Sequence, residues 1–180
     1  MKLPKNAKIE AVCSDDNTRS SITAPYLEVN EGKGLLIATN GRAMAILPVE
    51  VGEHDVTGYV SPQALVASRK LVRGNGDVEV DCNGACTLKD GVAYPRPFAV
   101  PANAGEDYVP TRFPNWRQVL PDKDRVVKTR VAINPSLLMD LAKAMGSEGS
   151  VVLEFGEDEK DIIRLVSGEK VGLLMPMRIS

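Results

Sequence analysis

The sequence predicts an α+β protein in which short helices pack on antiparallel sheets, with one strand-helix-three-strand half-domain repeated along the chain. Three observations carry this reading. The segment YVSPQALVASRKLVRGNGDVEV, starting at Tyr59, superimposes on AINPSLLMDLAKAMGSEGSVVLEF, starting at Ala132, after a shift of 73 positions. Pro62 then falls on Pro135, Leu65 on Leu138, Lys70 on Lys143, Gly76 on Gly149 and Val78 on Val151. Each copy opens on a capping residue followed by proline, which starts a helix because the missing proline N–H has no partner there anyway. Each helix is then followed by strand-like segments separated by turn residues.

Taken in order, a weaker first copy opens the chain. LPKNAKIEAVCSD reads as a helix with Pro4 near its start, followed by strands in PYLEVNE, GLLIAT and AMAILPV. Asn40-Gly41 joins the last two as a hairpin signal, since both residues tolerate positive φ in a type I′ turn. In the second copy Ser61 caps a helix running to Gly74, with Leu65 and Val72 apolar and Arg69, Lys70 and Arg73 gathered elsewhere on it. DVEVDC and ACTLKD form a hairpin across Asn83-Gly84, and the prolines of GVAYPRPFAV place it at a sheet edge. PANAGEDYVPTRFPNWRQVLPDKD is a proline-rich, charged linker.

In the third copy Asn134 caps a helix whose buried stripe is Leu138, Leu141, Ala142 and Met145, ending at Gly146. SVVLEF, DIIRLVS and KVGLLMPMRI supply its strands. Residues 1–121 thus form one domain of two halves, and residues 122–180 a single half. A lone three-stranded half exposes an apolar face and needs a partner.

At 180 residues, 43% hydrophobic and 26% charged, the chain has an ordinary globular composition. The net charge of -2 gives no global attraction to nucleic acid or to anionic membranes. No apolar run approaches the roughly 20 residues that span a bilayer, and MKLPKNAKIE has no signal core, so a cytoplasmic protein without membrane contact is expected. Cys13, Cys82 and Cys86 cannot all pair within one chain, and with His54 as the sole histidine they make no structural zinc site. We read them as small apolar residues, with metal binding as the alternative. GxSxG, Walker, HExxH and Rossmann patterns are missing, so no catalytic residue, metal or cofactor is expected; GEDEKD reads as a solvated turn.

The residues also carry a family resemblance. ATNGRAMAI resembles the ATDGHRLAV-type hairpin of the DNA polymerase III beta subunit, the bacterial sliding clamp. FPNWRQVLP is similar to its FPDYRRVLP linker, INPSLLMDLAKAM to its last helix, and LLMPMRI to its terminal VMPMRL. The resemblance implies the DNA-clamp fold and a pocket for short peptide motifs of polymerases and other replication proteins. Its walls would be Thr39, Gly41, Arg42 and Met44 of the hairpin, and Pro114, Gln118 and Val119 of the linker. The tail would add Leu173, Leu174, Met175, Pro176, Met177, Arg178 and Ile179.

Two methionines in that tail suit a surface that repacks around varied apolar ligands, although a single methionine in a strand more often fills core. Trp116 likewise serves either the pocket or the pinning of the linker to a domain. The resemblance further implies helices facing double-stranded DNA without reading its sequence, with Arg69, Lys70, Arg73 and Lys143 as the phosphate-contacting candidates. The alternative for these is a solvated helix face.

The family's chain has three full domains where this one has room for about one and a half. Ala43 and Gln118 stand where the family often has arginine, which removes cationic donors from the pocket. Self-association is expected, and if halves pair between chains, four chains would supply the twelve halves of the family's ring. The competing reading is a regulatory decoy that binds clamp-binding peptides without encircling DNA.

Overall fold

Ser61 and Asn134 start helices for the same local reason. In the computed structural model the Ser61 hydroxyl accepts from the Ala64 N–H at 3.2 Å, and Asn134 Oδ1 accepts from the Ser136 N–H at 2.9 Å. Helix α1 spans Pro62–Leu71 and helix α2 spans Pro135–Ala144, each with proline as first residue. The structure describes residues 1–100, 104, 109–120, 130–144, 150–168 and 170–178, the side chains of Asp140, Lys143, Ala144 and Lys170 excepted. The expected helix stop at Gly146, with Met145 before it, lies outside the described residues. The chain divides into two units, Met1–Gln118 and Val119–Ser180.

Unit 1 is one antiparallel sheet of eight strands. In chain order they are β1 (Lys2–Pro4), β2 (Tyr26–Asn30), β3 (Lys33–Thr39), β4 (Met44–Glu50), β5 (Gly58–Tyr59), β6 (Asp77–Asp81), β7 (Ala85–Leu88) and β8 (Ala93–Pro95). Their spatial order is β5-β2-β3-β4-β1-β6-β7-β8. The proline-bearing β8 sits at an edge, where a missing N–H costs no ladder bond.

The two halves trade their leading strands. β1, which opens the first half, pairs with β6 of the second through Lys2↔Glu79, Leu3↔Val78 and Pro4↔Asp77. β5, which opens the second half, pairs with β2 of the first through Tyr26↔Tyr59 and Leu27↔Gly58. One core results: Leu3, Leu27, Leu36 and Ala38 from the first half pack with Val60, Leu65, Val78, Val80, Cys82 and Cys86 from the second.

Buried polar groups tie the halves as well. The Asp55 carboxylate accepts from the Met1 α-ammonium, from Gly52 N at 2.7 Å and from Cys82 N at 2.8 Å. Arg96 donates to the carbonyls of Tyr59, Val56 and Cys82 at 2.8 to 3.0 Å. A Cβ on residue 58, where φ is +146°, would stand 2.9 Å from that guanidinium, so glycine is required there.

Three expectations are corrected. The opening helix is instead two 3-10 segments, Ile9–Val12 and Asn17–Ile22, and Pro4 ends β1. SDDNTRSS, which leads into and forms most of the second segment, is rich in side chains that bond their own backbone, as Asp16 does with the Thr18 N–H at 2.9 Å, and such groups compete with helix. Helix α1 stops at Leu71, ahead of Gly74, because Val72 is extended and Lys5 Nζ caps the chain by donating to the Val72 and Gly74 carbonyls.

Neither Asn-Gly pair makes a type I′ turn, since only the glycines have positive φ. The register Thr39↔Met44 leaves a four-residue loop in which Asn40 Oδ1 accepts from Arg42 N and Ala43 N, both at 2.9 Å. The register Asp81↔Thr87 leaves five residues, because the Cys82 N–H is drawn to Asp55 and out of the ladder.

Unit 2 is smaller. Its strands β9 (Val152–Glu154), β10 (Ile163–Ser167) and β11 (Lys170–Leu174) form a sheet in the order β11-β10-β9. Ile163, Leu165 and Leu174 are buried, with Val131, Ile133, Leu138, Leu141, Val151 and Leu153 packed partly exposed against them. Among the described residues no helix is long and apolar enough to cross a membrane.

Candidate peptide pocket and DNA-facing helix

In unit 1 the loop after β3 is built by its own side chains. Thr39, buried at the strand end, donates its hydroxyl to the Ala43 carbonyl at 2.7 Å and accepts from Gly41 N at 3.0 Å. Gly41 has φ +82° and lies under the Arg19 guanidinium, where a Cβ would meet Nη2 at 2.2 Å. Arg19 also donates to the Asn40 carbonyl at 3.0 Å. The loop is thereby held, with Arg42 exposed at its tip and Met44 half-buried.

The linker residues 113–118 are fixed to the same unit. Phe113 stacks on Tyr26, centroids 5.0 Å apart, beside Tyr59 and Phe98. Tyr26 faces Ile37, two residues before Thr39, so the stacked ring lies toward the sheet end that carries the hairpin loop. Trp116 is buried and donates Nε1–H to Glu28 at 3.2 Å, while Arg117 pairs with Glu28 and lies 4.2 Å over the indole. The bond from Arg117, aided by the one from Trp116, outweighs burial and holds the Glu28 carboxyl below its ordinary pKa. Of the two readings of Trp116, the structure supports the pin. Pro114 and Gln118 are left exposed.

In unit 2 Val119 is 68% exposed. The tail alternates. Leu174 is buried in the unit's core, while Leu173, Met175 and Met177 stand 63%, 65% and 52% exposed. Both methionines are therefore surface groups and not core filler. Met177 N donates to the Ala132 carbonyl at 2.8 Å, which fixes the chain beyond Pro176.

Met175, Pro176, Met177 and Arg178 line a cavity of about 510 Å³ together with Glu159 and Lys160. Those last two come from the acidic turn, whose shape is held by Asp161 Oδ2 accepting from Asp158 N and Asp158 Oδ1 from Lys160 N. From composition that turn is merely solvated, and no local pattern shows which strand end it faces. Ile179 lies outside the described residues.

The basic helix candidates separate. Arg69 is only 12% exposed, paired with Glu10 and bonded to the Ala7 carbonyl at 2.9 Å, so its charge is committed to joining α1 to the 3-10 segment of the other half. Lys70 is exposed and continues a stripe with Gln63 and Val66 at three- and four-residue spacing, while Arg73 is exposed beyond the helix end. Lys143 falls on α2, and its side chain lies outside the described set.

No protein-family model matches this sequence, and no curated protein matches it. Solved structures do. The DNA polymerase III subunit beta of Borrelia burgdorferi, solved in complex with a natural product, is 16% identical, with TM-score 0.58 over 100% of this chain and 63% of that one. The DnaN sliding clamp of Bartonella birtlesii bound to griselimycin is 16% identical, with TM-score 0.65 over 100% of this chain and 51% of that one. The sliding clamp of Bacillus subtilis is 14% identical, with TM-score 0.65 over 98% and 48%. The chain thus spans between about half and under two thirds of the length of the clamps it matches.

Proposed function

We propose that this chain, which has the fold of the bacterial DNA polymerase III beta sliding clamps, is a non-enzymatic clamp-like replication protein. It encircles double-stranded DNA as a homo-oligomer and takes short apolar peptide motifs of a polymerase or other replication proteins on its terminal strand. The observation that carries the reading is the tail. A strand that anchors itself with Leu174 and holds Met175 and Met177 out over a cavity, with Leu173 exposed beside them, is built for an apolar ligand, since a core strand would turn them inward.

Sliding needs attraction to phosphate without base contacts. Lys70 and Arg73 supply it, being exposed and outside every ion pair found among the described residues. Arg69 has a structural role instead.

The experiment is retention on DNA. The protein is assembled on a nicked circular plasmid at low salt and then washed at high salt, with and without linearisation. Encirclement predicts salt-resistant retention that is lost when the circle is cut. Equal loss from circle and line would favour a peptide-binding decoy.

A further inference from the structure

Unit 1 contains the pattern that unit 2 leaves unfinished. In unit 1 the leading strand β1 has a partner on each side: β4 of its own half, through Lys2↔Glu50, and β6 of the sister half, through Lys2↔Glu79 and Leu3↔Val78. In unit 2 the leading segment makes the first of these contacts alone, as the bridge Ala132↔Met177. Among the described residues its other side is unpaired. So is the outer side of β9, the strand that corresponds to β6.

Burial shows the same vacancy. Ala64 and Val78 of unit 1 are 0% and 1% exposed, covered by the single core that both halves share. Their counterparts 73 positions on are Leu137, 54% exposed, and Val151, which is only partly buried. Val152, where unit 1 has Glu79, is 57% exposed. An open strand edge flanked by apolar side chains is a template for another strand.

We infer that unit 2 is completed by unit 2 of a second copy of this chain, each donating its leading segment to the other's β9, so that two half-domains make one eight-stranded domain. The interface continues one already present within the molecule, and its register follows from it. Ala132 stands in the place of Lys2, and β9 position 152 in the place of Glu79. Ala132 therefore lies opposite Val152 of the partner subunit, and Ile133 opposite Val151 of the partner subunit. A twofold axis makes the contact self-complementary and closed, which leaves no free edge there for fibre growth. This inference rests on the repeat and its pairing, and not on the clamp reading.

The test is a mixed crosslink. Full-length chains carrying Ala132→Cys or Val152→Cys, both with Cys13→Ser, are purified separately, mixed, oxidised and run without reductant. Within one chain, position 132 is three strand steps from β9, about 14 Å. A disulfide spans no more than about 7 Å between Cα atoms, so a covalent product reports two chains. The mixture is expected to give a covalent dimer that neither chain gives alone, together with a concentration-dependent doubling of mass for the unmodified chain by light scattering. A monomer at every concentration would overturn the inference. A dimer that fails to crosslink would overturn it too, because association would then use another surface. A crosslinked dimer that is not retained on circular DNA would leave this pairing intact and overturn the clamp reading instead.

Discussion

Replacing Asp55 with Asn should be among the most damaging single changes in unit 1. The side chains of Asp55 and Met1 are 3% and 0% exposed, and the Met1 ammonium that Asp55 accepts from is buried, with Gly52 N and Cys82 N completing the carboxylate's partners. An amide of the same shape removes the charge and turns an NH2 toward groups that can only donate. Breaking a buried pair costs about 3–5 kcal/mol because the surviving charge is left uncompensated. That is a large part of the roughly 5–15 kcal/mol that holds a domain together. With a urea m-value of about 2 kcal/mol/M, the midpoint should fall by about 2 M.

Trp116, the sole tryptophan and buried on unit 1, is the fluorescent reporter. The pH profile adds an independent check. Burial alone pushes the Asp55 carboxyl up, but the bonds from the ammonium, Gly52 and Cys82 outweigh it, and its folded pKa lies below the ordinary carboxylate value. The stability it contributes is therefore complete above the unfolded value near 3.9, and is lost as pH falls through the lower folded value. The Asp55→Asn chain should lack that part of the acid limb. A variant within about 1 kcal/mol of the parent, or with an unchanged acid limb, would refute the reasoning.

Other consequences follow from the same geometry. Met175→Glu with Met177→Glu should leave the stability to urea within about 0.5 kcal/mol of the parent, since both side chains are already exposed. Binding of a labelled hexapeptide bearing Leu and Phe side chains should nevertheless weaken at least 100-fold by fluorescence anisotropy, two lost apolar contacts being worth about 3 kcal/mol; retained binding would remove the tail from the pocket. Lys70→Ala and Arg73→Ala should each lower the salt slope of DNA binding by about 1 without changing stability. Arg69→Ala should do the reverse, destabilising unit 1 by about 3 kcal/mol by leaving Glu10 half-buried and unpaired.

The neighbouring Cys82 thiol holds the pKa of Cys86 down against its own burial, yet Cys86 is 0% exposed. Iodoacetamide should therefore label it only at the rate of unfolding, and fast native labelling would show that the loop after β6 opens.

What the sequence made legible was local. Ser61-Pro62 and Asn134-Pro135 declared their helices because cap and first turn lie within four residues, and the 73-residue repeat declared two of the three halves. The places of the hairpins are legible in the Asn-Gly pairs but their turns are not, since Asn40 spends its side chain on the loop backbone and Cys82 answers to Asp55, 27 positions away. The opening helix failed because its polar run bonds to itself. Arg69 looked free because Glu10 is 59 positions distant, and only folding brings the halves together. Glu159 and Lys160 entered the pocket wall in the same way, from a turn whose position depends on register and not on composition. The methionines were the reverse case: their exposure, which composition alone would have argued against, is what marks the tail as a surface.

The measurement that tests the account most directly is the solution mass of the full chain by light scattering after size exclusion, across a concentration series. Paired half-domains predict an even number of chains, a dimer that passes to a tetramer as rings close. A mass equal to one chain at every concentration would contradict it, leaving the half-domain uncovered and too few domains to surround DNA.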